Sequence, residues 1–592
     1  MEPEETAKDA PWLMFWLQVD PALQWVITLG DPLNQAVHGA LVHALSELME
    51  TLGIPGKPVV KITALEGPLP GGRFMRVAVE DKTLRYSDET MQLVYCCLNG
   101  SMFRADVTPA EILAWLHKIS ESRPESDRQM VTGFLTEMSL EIIKAQPSAL
   151  LGQSQLQAYR DSLPAPPSKG SGEWPPDQAW LLPILSHVLN LRISIADRQA
   201  VTDTLAESIG KLWSEACEAL IDVLRTDGIE IHLREEYLRQ LTTIDADNRV
   251  GLLDFLRDGM FAELGVVYPE FRLVPDAQLA PKEFVFKLNH LTCVRQVGLG
   301  PEECLVNDTP ERLKGFGIPA NAAGNPASGQ PQSVTNPEHK RTLEAQGFTT
   351  WDQMGYLILS LANVLRRSAA SFVHRAFVES QLEQLNGVFP ALVQAARSAV
   401  SPEQIVAVLR GLVAEELSIR NLRLILERLC DYQLRNDPGS HLVLDDQFVD
   451  AGNAKPGNGL TRLTEFVRAG MKREISGKYS RETNTIVTYL LDHSIEELLS
   501  RSGSVGPDTK LDSGLEREQQ DKILDSIRQE IAQLPPTTQL PLILTTSDAR
   551  VALCKAIAQD FPRMRVVAYQ ELMSDLNVQP VARIFWGAGT TA

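Results

Sequence analysis

The last fifty residues constrain the fold of this chain more tightly than any other stretch. Pro541–Thr546 is a short apolar run, and Ser547–Phe561 is a helical pattern opened by a polar residue. Arg565–Tyr569 is a second apolar run, and a third follows the connector Gln570–Val578 at Gln579–Ile584. Strand, helix, strand, connector and strand in so few residues predict a compact α/β unit.

The chain has 592 residues, 44% hydrophobic and 22% charged, a balance that suits globular domains with several cores. Length alone predicts about three to five domains or subdomains. The net charge of −20 argues against nucleic-acid binding, which needs clustered Lys and Arg, and against docking on an anionic membrane. No apolar run reaches the roughly 18 to 20 residues of a spanning helix. The nearest, Trp180–Leu191, holds Pro183, Ser186, His187 and Asn190. The acidic start MEPEETAKDAPW differs from the basic start of a signal peptide. A cytoplasmic location without membrane insertion is therefore expected. The seven cysteines are scattered and form no CxxC, which predicts reduced thiols.

Two parts of the chain resemble each other. Ala44–Phe74 parallels Leu256–Phe284, with Leu48 matching Met260, Leu52 matching Leu264 and Gly53 matching Gly265. Leu150 and Leu151 match Phe372 and Val373. Leu185–Leu205 parallels Leu409–Leu429, with Ser194 matching Ser418, Ile195 matching Ile419 and Asp197 matching Asn421. Trp25–Leu29 is taken as the counterpart of Ile229–Leu233. The constant order predicts a divergent partial first copy and a fuller second copy of one module. In each, a helix face ended by glycine leads into apolar–polar alternation, the pattern of a helix packed on a small sheet. Ser194 and Ser418 are expected as N-caps of the helices that follow. Trp12, Leu13, Phe15 and Trp16 are expected to form an arm that packs onto the first copy, the alternative being a short anchor that inserts into a partner.

The second copy carries AELGVVYPEF, ECLVND, GNPASG, EAQGFTTWD, SLANVLRRSAASF, EELSIRNLRLILERL, LTEFVRAGMKREI and YLLDHSIEELL, then LILTTSDAR, FPRMRVVAYQEL and NVQPVARI. In this order they resemble the cytoplasmic domain of the FlhA/SctV (FHIPEP) family of type III secretion export-gate proteins, in its injectisome-like branch. The family's membrane half and its FHIPEP signature are not expected here. The resemblance implies a mixed α and β, multi-subdomain fold: small sheets flanking helical subdomains, a C-terminal α/β unit, and two tandem copies of the module. The implied divisions are an arm at 1–22, a partial copy at 23–226, a first subdomain at 227–300, a small second subdomain at 301–346, a helical third subdomain at 347–500 and the α/β subdomain at 501–592. Ser162–Gln178, Gly317–Pro337, Asp437–Leu460 and Ser502–Gly514 read as loops or linkers.

The resemblance also implies a role. Family members form a nonameric ring and receive chaperone–substrate complexes and gatekeepers in a groove around the second subdomain. One wall of that groove is an Asp-Pro-Ala-Phe-Gly stretch, which here reads Asn325-Pro326-Ala327-Ser328-Gly329. The charge and the aromatic anchor, worth about 2 kcal/mol at a hot spot, are both replaced. A groove threonine falls near Leu359, and a Gly-Arg-Gln-Glu stretch reads His374-Arg375-Ala376-Phe377. Asn325, Ser328 and Leu359 are thus the candidate partner-binding residues. The expected function is a soluble, non-enzymatic component or regulator of a type III export apparatus, with apparatus proteins, chaperone–substrate complexes or a gatekeeper as partners and a homo-oligomer as assembly. The alternative is a protein-interaction scaffold recruited to a non-secretion assembly.

No catalytic, cofactor or metal constellation is expected. Gly67–Gly72 lacks the GK[ST] of a phosphate loop and reads as a turn before a strand, and the ten histidines include no HExxH. Ser194, Asp197 and His187 surround a helix start, which capping explains better than a catalytic triad.

Overall fold

Leu13, Phe15, Leu17 and Val19 alternate along Trp12–Val19, and each is at most 1% exposed. Period-2 burial makes this segment a strand, β1. It pairs in parallel with β2 (Lys57–Ala64) and antiparallel with β3 (Met75–Val79), which pairs with β4 (Lys82–Leu84). Trp12 and Trp16 lie on the opposite face, with the ammonium groups of Lys57 and Lys61 at 5.9 and 4.7 Å from their rings. The expected arm is therefore an inner strand of a four-stranded sheet, ordered β2-β1-β3-β4. The computed structural model describes residues 10–122, 124–166, 174–211, 213–226, 228–247, 251–436, 459–480, 483–502, 515–534 and 540–585.

A second sheet repeats this plan. Its strands are β5 (Ile229–Leu233), β6 (Phe271–Pro275), β7 (Glu283–Leu288), β8 (Leu291–Thr292) and β9 (Gln296–Val297). β5 pairs in parallel with β6 and antiparallel with β7, and β7 also pairs with β8 and β9. The registers show which segment holds the place in the first sheet that Ile229–Leu233 holds in the second. Ile229 faces Phe271 and Leu288, as Phe15 faces Val60 and Val79. Phe15–Val19, not Trp25–Leu29, therefore occupies the equivalent place. Gln24–Ile27 is a helical turn, held where the Asn34 side-chain amide donates to the Val26 carbonyl at 2.6 Å.

The helices beside these sheets end alike. Helix Pro32–Leu52 starts at the Asp31 cap and buries Leu33, Val37, Leu41, Leu45, Leu48 and Leu52 on one face. It stops at Gly53, whose φ is +75°, and a Cβ there would lie 2.4 Å from the backbone N and Cα of Ala196. The carbonyl of Leu52 accepts from Ile195 N at 2.9 Å. Helix Leu252–Leu264 stops at Gly265, with φ +78° and 2.7 Å from a Cβ to Arg420 N; Leu264 O accepts from Ile419 N at 2.9 Å. Ser194 and Ser418 belong to these joints and are not N-caps. Ser194 Oγ donates to Thr51 O at 2.7 Å and accepts from Ala196 N, while Ser418 Oγ accepts from Arg420 N. The helix starts are capped by Asp197, accepting from Ala200 N, and by Asn421, accepting from Leu424 N. An acceptor three residues before its amide fits the cap, and the serines sit too far upstream.

The chain forms two compact units, Met1–Asp258 with Tyr268–Leu365, and Gly259–Val267 with Arg366–Ala592. In the first, one continuous core runs from Leu13 to Leu224 and takes in the sheet of β1 and the helices up to Trp213–Leu224. The same unit holds a small sheet of order β11-β12-β10-β13, built from β10 (Cys304–Val306), β11 (Asn321–Gly324), β12 (Pro331–Thr335) and β13 (Thr350–Trp351). Gly317–Pro337, expected as a loop, thus contributes two strands. The small subdomain also extends past 346, because Thr350 and Trp351 pair with Val306 and Leu305.

In the second unit the buried faces read from sequence are in place. Ile405, Leu409, Leu412 and Val413 line helix Pro402–Ala414, and Ile425, Leu426 and Leu429 are buried on helix Leu422–Asn436. The C-terminal pattern gives β15 (Leu542–Thr545), helix Ser547–Ile557, β16 (Val566–Ala568) and β17 (Asn577–Ile584), as expected. One strand comes from further back. β14 (Thr485–Leu491) lies between β15 and β17, parallel to both. Tyr489, Leu491, Ile495 and Leu499 share a core with Ile523, Ile543 and Leu553. The α/β subdomain accordingly begins near 485 rather than 501, because β-branched Thr485–Val487 supplies its inner strand. The expected linker Ser502–Gly514 lies almost wholly outside the described residues, as do most of Asp437–Leu460 and the middle of Ser162–Gln178.

The glycine joint is testable against Gly100, which has φ +61° but open space around it. Gly100→Ala should destabilise by about 1 kcal/mol through backbone strain alone. Gly53→Ala adds the clash with Ala196 and should lose about 3 kcal/mol or more from the first urea transition. Equal losses would show that the close approach contributes nothing.

Candidate functional site

Two of the three residues singled out from sequence lie in the turn that follows the edge strand β11. Asn325 is buried, and its Oδ1 accepts from Ala327 N at 2.8 Å and Ser328 N at 3.1 Å, an Asx turn. It shapes the loop instead of offering its side chain outward. Ser328 is exposed at the tip, where its Oγ accepts from Gln330 N at 3.3 Å. Leu359 is half-buried on helix Gln353–Arg367. That helix is fastened at its start by Gln353, which donates to Leu299 O at 3.2 Å, and by the ring of Tyr356, 6.4 Å from that of Phe284. Further along the chain, His374 accepts from Phe377 N at 3.1 Å through Nδ1 and caps helix Arg375–Asn386.

A residue of the amino-terminal half lies at this edge, and nothing in its local sequence marked it. Phe103 is 4% exposed, and its carbonyl accepts from Gly324 N at 2.5 Å. Its backbone also bears on the Tyr356 phenol, whose pKa is pushed up by burial and held back in part by that backbone. Gly324 precedes Asn325, and Tyr356 stands one turn before Leu359. Phe103 thus touches the strand that leads into the Asn325 turn.

The amino-terminal half also meets the β7–β8 turn. Asn289 Nδ2 donates to Leu191 O at 3.0 Å, and His290 N donates to Arg192 O at 3.2 Å. His290 Nδ1 accepts from Ser194 N at 3.1 Å, which needs a ring unprotonated at Nδ1. Burial, then the nearby Lys287, hold the His290 pKa below its ordinary value.

In the second unit the dominant polar feature is a buried charge network. Arg468 grips Glu571 through Nε at 2.6 Å and Nη2 at 3.1 Å, and reaches Glu415 through Nη1 at 2.9 Å. Arg550 binds the same Glu415 oxygen at 2.6 Å and holds Glu465 with Nε at 2.7 Å and with Nη2. Both arginine side chains are 2% exposed. Burial works to raise Glu415, but Arg468 and Arg550 outweigh it and its pKa falls below the usual value. For Glu465 burial outweighs Arg550 and the pKa rises. Cys554 sits beside this network, its thiol pushed up to about 12 by burial and by Glu415. The paired geometry is that of a structural staple between helices Pro402–Ala414 and Gly459–Gly470 and the α/β subdomain. Sequence did carry a signal for it, an arginine within each apolar stripe: Arg468 between Val467 and Met471, and Arg550 beside Ala549 and Leu553. Among the described residues, no group of three or more His, Cys, Asp or Glu is arranged to hold a metal ion, and no helix is long and apolar enough to cross a membrane.

The FHIPEP family profile matches residues 211–577, more than half of the chain, and the chain belongs to that family. It is 26% identical to Low calcium response locus protein D of Yersinia pestis over 329 residues, 56% of this chain and 44% of that protein. It is 25% identical to Flagellar biosynthesis protein FlhA of Treponema pallidum over 327 residues, 55% of this chain and 43% of that one. The chain therefore spans less than half the length of these relatives. Among solved structures it is similar to the CdsV protein of Chlamydia pneumoniae, with a TM-score of 0.52 at 26% identity over 60% of this chain and 97% of that one. The CdsV and CdsO complex gives 0.51 at 25% identity, over 60% of this chain and 97% of that one. The resemblance to the export-gate family drawn from those motifs is thus borne out.

Two predictions follow the geometry. Arg550→Met leaves Glu465 unpaired and should destabilise the second unit by about 3–5 kcal/mol in chemical denaturation. Adding Glu465→Gln should recover part of that loss, whereas simple additivity would show that the pair does not interact. The folded-state pKa of His290 is lowered, so its contribution to stability is full above the unfolded value of about 6.5 and is lost as pH falls through the folded value. Wild type should therefore lose more stability than His290→Gln between pH 7.5 and 5, read from unfolding midpoints.

Proposed function

We propose that this protein is a non-enzymatic component or regulator of a type III secretion export apparatus, acting on the cytoplasmic side as a docking platform of the export-gate kind. The observation that carries the reading is the family match over 211–577, together with likeness to nearly the whole of the CdsV structure. A counterpart of CdsO is the partner suggested by the complex that the fold resembles. The edge of the small sheet around Asn325 and Ser328, with Leu359 on the neighbouring helix, is the surface assigned to chaperone–substrate complexes or a gatekeeper.

The amino-terminal half is read as a divergent partial copy of the same module. Support comes from the shared strand order of the sheets built on β1 and β5 and from the matching joints at Gly53 and Gly265. The 3-10 turns Pro147–Leu150 and Ala369–Phe372 also occupy corresponding places. A scaffold recruited to a non-secretion assembly is favoured by one observation: Asn325 and Ser328 replace the charge and the aromatic anchor that the resemblance implies.

Light scattering on a sizing column should give a discrete oligomer well above the 65.5 kDa monomer, as a retained ring-forming surface requires. Pull-downs from the native host should retain export-apparatus proteins, a CdsO counterpart among them. A strict monomer that captures none of these proteins would sink the proposal.

A further inference from the structure

The sheets built on β1 and β5 place different chemistry at one matching position of their outward faces. Trp16 faces Lys61 on the parallel neighbour and Ala78 on the antiparallel one. Glu230 faces Arg272 and Lys287 in the same places. In the second sheet the central carboxylate gathers the charges around it, with Arg272 at 2.6 Å, His232 at 3.0 Å and Lys287 at 3.8 Å. In the first sheet the central group is an indole, 4.7 Å from the Lys61 ammonium. A ring attracts a cation but does not neutralise it. Lys57 lies 5.9 Å from the Trp12 ring, and Arg76 reaches only the amide oxygen of Gln18, at 3.4 Å. The nearby Glu80 turns its Oε1 to Met14 N at 2.9 Å. A basic, tryptophan-bearing face thus stands on a chain whose net charge is −20.

Trp12, Met14 and Trp16 form a row along β1, with Val59 beside Met14 on β2. Trp12 is 66% exposed, and none of these four packs against the core that runs from Leu13 to Leu224. A segment lying on a face, not along an edge, finds no backbone partners there and must satisfy its own, as a helix does. The occupant that fits is therefore a helix with exposed apolar side chains and carboxylates on the same side.

The chain carries such a helix in Leu252–Leu264. Leu256, Met260 and Leu264 are buried on its inner side. Its outer side shows Phe255, 68% exposed, and Phe261, 39% exposed. At about 3.6 residues per turn, the exposed Asp254 and Asp258 fall between the two rings around the helix surface. Asp254 pairs with Arg257 at 3.0 Å, an exposed contact that holds a carboxylate only weakly. Exposed rings beside carboxylates complement exposed rings beside ammonium groups in both polarity and sign.

We propose that the outward face of the β1 sheet receives helix Leu252–Leu264 of a second copy of this chain. Phe255 and Phe261 lie against Trp12, Met14 and Trp16, while Asp254 and Asp258 supply to Lys57 and Lys61 the carboxylates that Glu230 supplies in the second sheet. The receiving face lies outside residues 211–577, so this contact is separate from any made between family domains alone. It rests on the self-association stated under the proposed function and assigns surfaces to it.

The test uses the full chain as an equal mixture of unlabelled and heavy-nitrogen protein, coupled with a zero-length carbodiimide. That reagent joins a carboxylate to an amine only where the two meet. Peptides linking Lys57 or Lys61 to Asp254 or Asp258 should appear with one partner of each isotope. Lys57→Glu with Lys61→Glu should weaken self-association at least tenfold, read by light scattering across a concentration series. Asp254→Lys with Asp258→Lys should do the same, and mixing the two variants should restore association, because opposite charges then meet in both directions. Trp12→Ser, at the exposed start of β1, should weaken it without changing charge. Absence of the links, links within one isotope only, or masses that neither reversal alters would overturn the inference. The links are read independently of pull-downs, so an oligomer without them overturns this inference alone and leaves the proposed function standing.

Discussion

Two glycines in the left-handed conformation, Gly53 and Gly265, set the constraint on which much of this architecture rests. Each ends a helix that leads into an adjoining strand, and each lets a neighbouring backbone approach more closely than any Cβ would allow. The carbonyl just before each glycine is taken by an amide from an Ile-containing segment, Ile195 in one case and Ile419 in the other. A helix end that would leave carbonyls unpaired is thereby closed by tertiary partners. The same solution recurs in two places, and at the first of them Ser194 is also bonded to the helix end.

The second unit relies on a different device. Two arginines and Glu571 are withdrawn from water where helices meet the α/β subdomain, and half-buried Glu415 and Glu465 complete their pairing. Burying charge costs free energy, so such a network holds only if each group is matched in geometry. Arg468 achieves this with a bidentate grip on Glu571, which also accepts from Ala568 N at 2.9 Å. The opposite shifts of Glu415 and Glu465 follow from the same arrangement, since Glu415 faces two arginines and Glu465 mainly one. Specificity of packing is what such a network supplies best.

The candidate docking surface combines an inherited scaffold with altered chemistry. Asn325 retains the turn through its side-chain oxygen. The tip residue Ser328 offers only a small hydroxyl, while a large ring at this edge, Phe103, arrives from far away in sequence. The amino-terminal half therefore does more than precede the family domain. It contributes a side chain to the surface through which that domain is proposed to act.

Elements whose burial is periodic and local could be read directly from the order of residues. The helix ended by Gly53, the faces of Pro402–Ala414 and Leu422–Asn436, and the order β15, helix, β16, β17 were all legible because each needs only neighbours within a few turns. The motifs of the carboxy-terminal part also carried the family. Trp12–Val19 was harder: an apolar–aromatic run reads equally as a packing arm or a strand, and only pairing with β2 and β3 on both sides decides it. β14 was hidden for the same reason, since an inner parallel strand takes its partners from distant sequence. Of the candidate site, the turn at Asn325–Gly329 could be read but its neighbour could not. Tertiary structure alone brought Phe103 to Gly324 and gathered Arg468, Arg550 and their glutamates, because side-chain contacts between residues a hundred or more positions apart leave no periodic trace in the chain.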